Sequence, residues 1–177
     1  MRRNVAIVKA RYTNKRGAAK ASIRYIAHRP GKDNQRLTRT LFGTDGAMSR
    51  QQAYTLIDEA KEGSVYFRFV ISPDPAREDT NRDLHLRDIT DRTMQTLAER
   101  LHKQVSWVGA IHADHAPHRH VHVVAVVEGR LHRNDLQALT RAATEASLDQ
   151  RAEHDLAHEA LRQENEREAG EEAQWER

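Results

Sequence analysis

The sequence contains no cysteine, which excludes a disulfide framework and any thiolate metal site. A bound metal would therefore have nitrogen and oxygen ligands. No apolar run approaches the ~18 residues of a membrane span. The N-terminus also lacks the apolar stretch and the small-residue cleavage site of a signal peptide, which argues against secretion by that route. With 38% hydrophobic and 31% charged residues, the 177-residue chain fits one domain with a core, and we expect it in the cytoplasm.

Positive charge is concentrated at the start of the chain. Residues 1–50 contain 13 Lys or Arg and two acidic residues, whereas residues 51–177 contain 16 basic and 24 acidic residues. A polyphosphate partner requires such a basic region, but a solvated surface explains it equally well. Charge alone therefore leaves nucleic-acid binding open.

Hydrophobic periodicity and turn residues predict alternating strands and helices. Two of the predicted strands are separated by only four residues and are expected to pair as an antiparallel hairpin. Ser49 is expected to cap a helix that ends at Gly63. The predicted strands are 5–12, 65–71, 107–114 and 119–128, the helices are 18–27, 49–62, 86–104 and the region beyond 134, and 36–43 is a short strand or loop.

The end of the chain differs in composition from the rest. From Glu145 onward there are 11 acidic and four basic residues and few large apolar ones. Such a segment is a solvent-exposed helix or partly disordered. We divide the chain into a domain at 1–135 and a charged helical extension at 136–177.

Histidine is concentrated in the predicted hairpin, where five of the 11 histidines lie between residues 112 and 122. Strand alternation places His120 and His122 on one face of the sheet, and His112 at the end of the preceding strand can face them. Three imidazoles would hold a metal and leave other positions open for water or substrate, as in catalytic sites. A His-x-His pair alone is a weak metal signal, so the third histidine carries this prediction.

Three other residues of the hairpin are weaker candidates. His115 and His118 lie in the turn, outside the strand pair that groups the other three histidines. Asp114 either orients a ligating imidazole, supports proton transfer or simply belongs to the turn.

Two motifs together resemble HUH-type plasmid mobilisation relaxases of the MobA-like group. The segment His112-Ala113-Asp114, followed by Pro117 and then His120-Val121-His122, resembles their three-histidine motif. The segment Ser22-Ile23-Arg24-Tyr25-Ile26 resembles their tyrosine-bearing helix, and 66–73 resembles their central strand. The motifs occur in the family's order, and the resemblance covers residues 5–130.

The resemblance implies an α+β fold with a central antiparallel β-sheet flanked by helices. It also implies that Tyr25 attacks the scissile phosphate of DNA, giving a 5′-phosphotyrosine and a free 3′-hydroxyl that can later religate the strand. His112, His120 and His122 would hold one divalent metal, and Asp114 is a candidate for proton transfer. Mn²⁺ or Mg²⁺ is expected as the cofactor, although imidazoles also accept Zn²⁺, Ni²⁺ or Co²⁺ and Mg²⁺ prefers oxygen ligands.

The implied partners are single-stranded DNA at an origin of transfer, accessory mobilisation proteins and a type IV secretion coupling protein, in the bacterial cytoplasm. Relaxases often carry a long C-terminal region, so the chain is expected to be a small relaxase or an excised domain. The candidate DNA contacts are basic residues in or beside the tyrosine-bearing helix: Lys15, Arg16, Lys20, Arg24 and Arg29.

Three alternatives remain open. A rolling-circle replication initiator normally places its tyrosine after the histidine motif, and no tyrosine follows His122. A metal-dependent hydrolytic nuclease would activate water and need no tyrosine. A non-catalytic DNA-binding or metal-storage protein would never cut DNA. Tyr25 could also simply pack in the core, and the 66–71 strand lacks the acidic residue that some relaxases place beside the metal.

Overall fold

The computed structural model describes residues 5–30, 34–114 and 118–175. Ten helices and strands are present in this part of the chain. In order they are β1 (Ile7–Thr13), α1 (Arg16–His28), β2 (Leu41–Gly43), β3 (Gly46–Met48), α2 (Arg50–Asp58), β4 (Val65–Ser72), α3 (Leu86–Leu101), β5 (Ser106–His112), β6 (His120–Val127) and α4 (Arg133–Trp175).

The strands form one six-stranded sheet in the order β1-β4-β6-β5-β2-β3, and each neighbouring pair is antiparallel. The predicted hairpin of β5 and β6 is confirmed, with His112 opposite His120. The predicted α+β class, with an antiparallel sheet flanked by helices, is also confirmed.

Each face of the sheet buries its own cluster of apolar residues. One cluster joins α1 and α2 to the sheet and includes Ile23, Ile26 and Val124. The other joins α3 and α4 to the opposite face and includes Phe69 and Val123. Because side chains alternate along a strand, the neighbours Val123 and Val124 enter different clusters. Burial on both faces explains the near-continuous run of valines in β6.

Local interactions set the start of α2 and the end of α3. The predicted Ser49 cap is confirmed, since Ser49 Oγ accepts a hydrogen bond from Gln52 N at 3.1 Å and Gln52 Oε1 accepts one from Ser49 N at 2.8 Å. This helix ends at Asp58 rather than at residue 62. Helix α3 ends at Leu101 rather than at residue 104, because His102 adopts a left-handed conformation with φ of 50°.

The segment beyond residue 133 is one continuous helix as far as Trp175. In its first half, Leu139 and Ala143 are fully buried in the core. Arg151 is also buried and forms an ion pair with Asp83 at 2.6 Å. The hydrophobic core therefore includes residues beyond 135. None of the helices in the described ranges is both long and apolar enough to cross a membrane.

The connection between β4 and α3 contains a buried acid, Glu78, which is 0% exposed. Its Oε2 accepts a hydrogen bond from Asp74 N at 2.6 Å, and its Oε1 has no partner among the described residues. Burial raises the pKa of Glu78 from its usual 4.5 to about 7. The folded protein therefore holds this proton more tightly than the unfolded chain, so its stability falls as the pH rises from 4.5 to 7.

Replacing Glu78 by Gln is therefore expected to stabilise the protein at pH 8. The free energy of unfolding should rise by about 3 kcal/mol at pH 8 and change little near pH 4, because the amide cannot ionise. Urea denaturation at both pH values measures this difference. The exposed Glu62→Gln is the matched control and should leave stability unchanged at either pH. Equal stability of Glu78→Gln and the wild type at pH 8 would contradict the prediction.

Candidate metal centre

The β5–β6 hairpin brings three histidines together. His112 pairs with His120 across the strands, and His122 lies opposite Ala110. The ring centroids are 4.5–5.4 Å apart, and one nitrogen of each ring lies within 4.8 Å of the others. The three predicted ligands therefore converge and could hold a metal ion.

The hydrogen bonds of the rings decide which nitrogens are available. His112 Nε2 lies 2.9 Å from Ile26 O, and His120 Nδ1 lies 3.3 Å from His118 O. A carbonyl oxygen only accepts hydrogen bonds, so these nitrogens carry the protons. The lone pairs of His112 Nδ1 and His120 Nε2 remain for a metal, in the arrangement common to metal-ligating histidines.

The surroundings of the His122 ring indicate whether the cluster suits a metal ion. Both of its ring nitrogens are buried, and neither has a partner within the described part of the chain. An unpaired buried polar atom costs about 1–3 kcal/mol. A divalent ion bound at one nitrogen would remove part of this cost, so the donor set fits a metal.

The electrostatics of the cluster favour the neutral imidazoles that a metal requires. Burial lowers the pKa of all three histidines, to about 4 for His112 and about 3 for His122. Positive charge from Arg29, Arg39 and Arg68, together with the neighbouring rings, lowers the pKa values further. The imidazoles are therefore uncharged at pH 7, and the three nearby guanidinium groups attract anions to the cluster.

Hydrogen bonds hold the last turn of α1 against the histidine cluster. Besides the contact of His112 with Ile26 O, Arg39 Nη1 donates to Arg29 O at 2.8 Å, and Arg39 N donates to Ala27 O at 2.9 Å. Arg39 Nη2 also donates to Asp114 Oδ2 at 2.5 Å, in an ion pair with the residues that follow β5. Arg39 therefore links the end of the helix to the end of the histidine-bearing strand.

Tyr25 lies in this last turn of α1. Its neighbours Ile23 and Ile26 are fully buried, whereas the Tyr25 side chain is 45% exposed. The Arg29 guanidinium lies 5.9 Å from the centroid of the Tyr25 ring, in cation–π contact. The exposure of Tyr25 does not fit the alternative of simple core packing, and the phenol is accessible beside a cation.

The five candidate DNA contacts have different surroundings. Arg16 donates to Ala60 O at 2.8 Å, and Lys20 forms an ion pair with Asp58 at 2.6 Å, so both hold α1 against the region of α2. Lys15 and Arg24 are exposed. Arg29 is the member of the set that acts on the histidine cluster.

The hairpin turn is described only in part. His115 lies outside the described residues, and His118 is exposed. Asp114, predicted to orient a histidine or to transfer a proton, forms the ion pair with Arg39.

Two arginines near the cluster were not predicted as site residues. Arg39 was only one of many basic residues in the sequence, and its partner Asp114 lies 75 positions away. Arg68 shares the histidine face because Val70, two residues along β4, pairs with His122. Alternation puts Arg68 on the same face as Val70, but the sequence contains no signal for that pairing.

Comparison of the chain with protein-family models, with curated proteins and with solved structures found no match.

Proposed function

We propose that the protein is a metal-dependent DNA relaxase, which cuts one DNA strand through Tyr25 and remains attached to the cut end. One observation carries this proposal: the helix turn that bears the half-exposed Tyr25 is hydrogen-bonded to the histidine cluster. His112 and Arg39 make this link through the carbonyls at the end of α1. The resemblance of both motifs to relaxases supports the same function.

The proposed reaction exchanges one phosphoester bond for another. The Tyr25 oxygen bonds to phosphorus, and the bond from phosphorus to the 3′-oxygen breaks. The leaving oxygen takes the electron pair and a proton and becomes the free 3′-hydroxyl. Because the number of phosphoester bonds is conserved, attack by this hydroxyl can reverse the reaction and religate the strand.

The residues around Tyr25 have defined tasks in this reaction. The Tyr25 phenol must lose its proton as its oxygen bonds to phosphorus, and the Arg29 guanidinium, 5.9 Å from the ring centroid, supplies positive charge beside it. Arg39 holds the helix turn so that the phenol keeps its position relative to the cluster. Asp114 remains the candidate proton acceptor, within its ion pair with Arg39.

A divalent ion held by His112, His120 and His122 would supply positive charge at a non-bridging phosphate oxygen. Three imidazole ligands suit Mn²⁺, Zn²⁺, Ni²⁺ or Co²⁺ better than Mg²⁺, which prefers oxygen. We therefore propose Mn²⁺ as the first ion to test. Single-stranded DNA at an origin of transfer is the proposed substrate, with accessory mobilisation proteins and a type IV secretion coupling protein as partners.

The test is a search for a covalent protein–DNA product. The protein is incubated with Mn²⁺ and a pool of single-stranded oligonucleotides of randomised sequence, and the mixture is then denatured. We expect protein-linked DNA on a denaturing gel, and sequencing of that DNA should give a common cleavage site. EDTA is expected to prevent the product. Cleavage without linked DNA would indicate a hydrolytic nuclease, and binding without cleavage would indicate a DNA-binding protein.

A further inference from the structure

The sheet face that bears the histidines continues beyond them as a basic surface. Val70 pairs with His122 and with Lys9, and Arg68 pairs with Arg11. Directly paired residues share a face, and so do residues two apart on one strand. The side chains of Lys9, Arg11 and Arg68 therefore lie on the histidine side of β1 and β4. Lys9 and Arg11 are exposed there.

This surface contains a cavity of about 200 Å³ between β1, β4 and the start of α1. Apolar groups of Ala18, Ala19 and Val124 contribute to its lining, together with Arg11 and Arg68. No carboxylate lines the cavity. Neither arginine forms a salt bridge with another residue in the described ranges. The cavity thus combines an apolar wall with two available positive charges.

The cavity lies close to the histidine cluster on the same face of the sheet. Val124 is two residues from His122 on β6 and faces the same way, so the two are ~7 Å apart. On α1, Ala18 and Ser22 line the cavity, and Tyr25 follows them on the same helix face because the spacing is helical. The ~7 Å separation is about twice the ~3.4 Å rise of one nucleotide in stacked DNA.

We propose that this cavity binds one nucleotide of single-stranded DNA, one or two positions from the phosphate at the histidine cluster. The apolar wall contacts the base, and Arg11 and Arg68 contact the adjoining phosphate. The volume of about 200 Å³ suits the base of a single nucleotide, because pockets for whole drug-sized ligands hold ~300–1,000 Å³. The choice of DNA and of the neighbouring phosphate rests on the proposed function.

Two substitutions separate the charge of the cavity from its shape. The double variant Arg11→Gln, Arg68→Gln removes both positive charges. Its matched control is Arg92→Gln, Arg141→Gln, two exposed arginines of α3 and α4, which changes net charge equally. Ala18→Leu keeps all charges and fills the cavity from the exposed side of α1. Affinity for a 20-nucleotide oligothymidine and for an equally long abasic strand is measured by fluorescence anisotropy in EDTA, over a range of salt.

We expect the wild type to bind oligothymidine more tightly than the abasic strand. The cavity double variant is expected to lose about tenfold in affinity for both strands, with a log–log salt slope smaller by about 0.7, because the two arginines contact one phosphate. The control pair is expected to change affinity less than twofold. Ala18→Leu is expected to keep the wild-type salt slope and to lose the preference for bases.

Several results would overturn the proposal. They are equal affinities of the cavity variant and the control, an Ala18→Leu variant that keeps its preference, and a wild type that has none. The outcome is independent of catalysis, because EDTA prevents cleavage. If the binding results are as expected but Mn²⁺ gives no covalent product, the cavity proposal stands and the relaxase proposal fails. If covalent product forms but the cavity variants bind normally, the reverse holds.

Discussion

Replacing Tyr25 by Phe is expected to abolish both DNA cleavage and the covalent product. The substitution removes one oxygen and keeps the ring that contacts Arg29, so folding and metal binding should survive. Loss of a nucleophile lowers the rate by about a thousandfold or more in enzymes that act through covalent intermediates. DNA affinity in EDTA should change little, because the positive groups remain.

Mass spectrometry gives the direct measurement. In the wild type, the nucleotide should be found on the peptide that contains Arg24-Tyr25-Ile26 after protease digestion. Tyr54→Phe is the matched control, because the Tyr54 ring also lies beside a cation, 5.5 Å from Lys20 Nζ, but on α2 rather than in the last turn of α1. A Tyr25→Phe variant that cuts at the wild-type rate would assign the reaction to water or to another tyrosine.

Removal of two imidazoles is expected to abolish metal binding completely. The double variant His120→Ala, His122→Ala leaves His112 as the remaining member of the cluster, which cannot retain a divalent ion at micromolar concentration. Calorimetric titration with Mn²⁺ should show one site in the wild type and none in the double variant. His118→Ala should keep the site, because His118 is exposed and not part of the cluster.

Thermal unfolding gives a second measurement of the same site. An ion that binds only the folded protein stabilises it by about 2.7 kcal/mol at a hundred times its Kd. Mn²⁺ should therefore raise the Tm of the wild type and of His118→Ala and leave the Tm of the double variant unchanged. A stoichiometric Mn²⁺ site in the double variant would place the metal elsewhere in the chain.

The histidine cluster could be predicted from the sequence because the signals for it are local. Alternation within β6 places His120 and His122 on one face, and the short connection to β5 requires an antiparallel partner that brings His112 opposite. The same locality explains the success at the Ser49 cap, whose two hydrogen bonds span three residues.

Features that depend on distant residues could not be predicted. The position of β4 between β1 and β6 decides which face Arg68 shares with the histidines. The short strand β3 was not predicted. It follows a glycine-containing turn at 43–46 and is too short to show the alternation of apolar and polar residues by which strands are recognised. The end of α3 at Leu101 depends on the left-handed His102, a conformation that histidine adopts only where its surroundings stabilise it.

Basic charge also had limited predictive value. Arg16 and Lys20 lie in the tyrosine-bearing helix, yet they form contacts with Ala60 and Asp58. Arg11 lies on β1, which precedes this helix, and lines the cavity instead. Whether a cation serves the fold or a ligand depends on its neighbours in space, and a charge count does not contain that information.

The placement of α4 gives the molecule an electrical polarity. Its first half packs on the sheet face opposite the histidines, and between Glu145 and Gly170 it carries eight acidic and three basic side chains. At 43 residues the helix is about 65 Å long, so this negative charge extends well beyond one sheet. We therefore expect an approaching polyanion to be attracted to the histidine side of the sheet and repelled from the side where α4 lies. Such a field orients molecules during diffusion, before any contact forms, and its influence falls steeply with ionic strength.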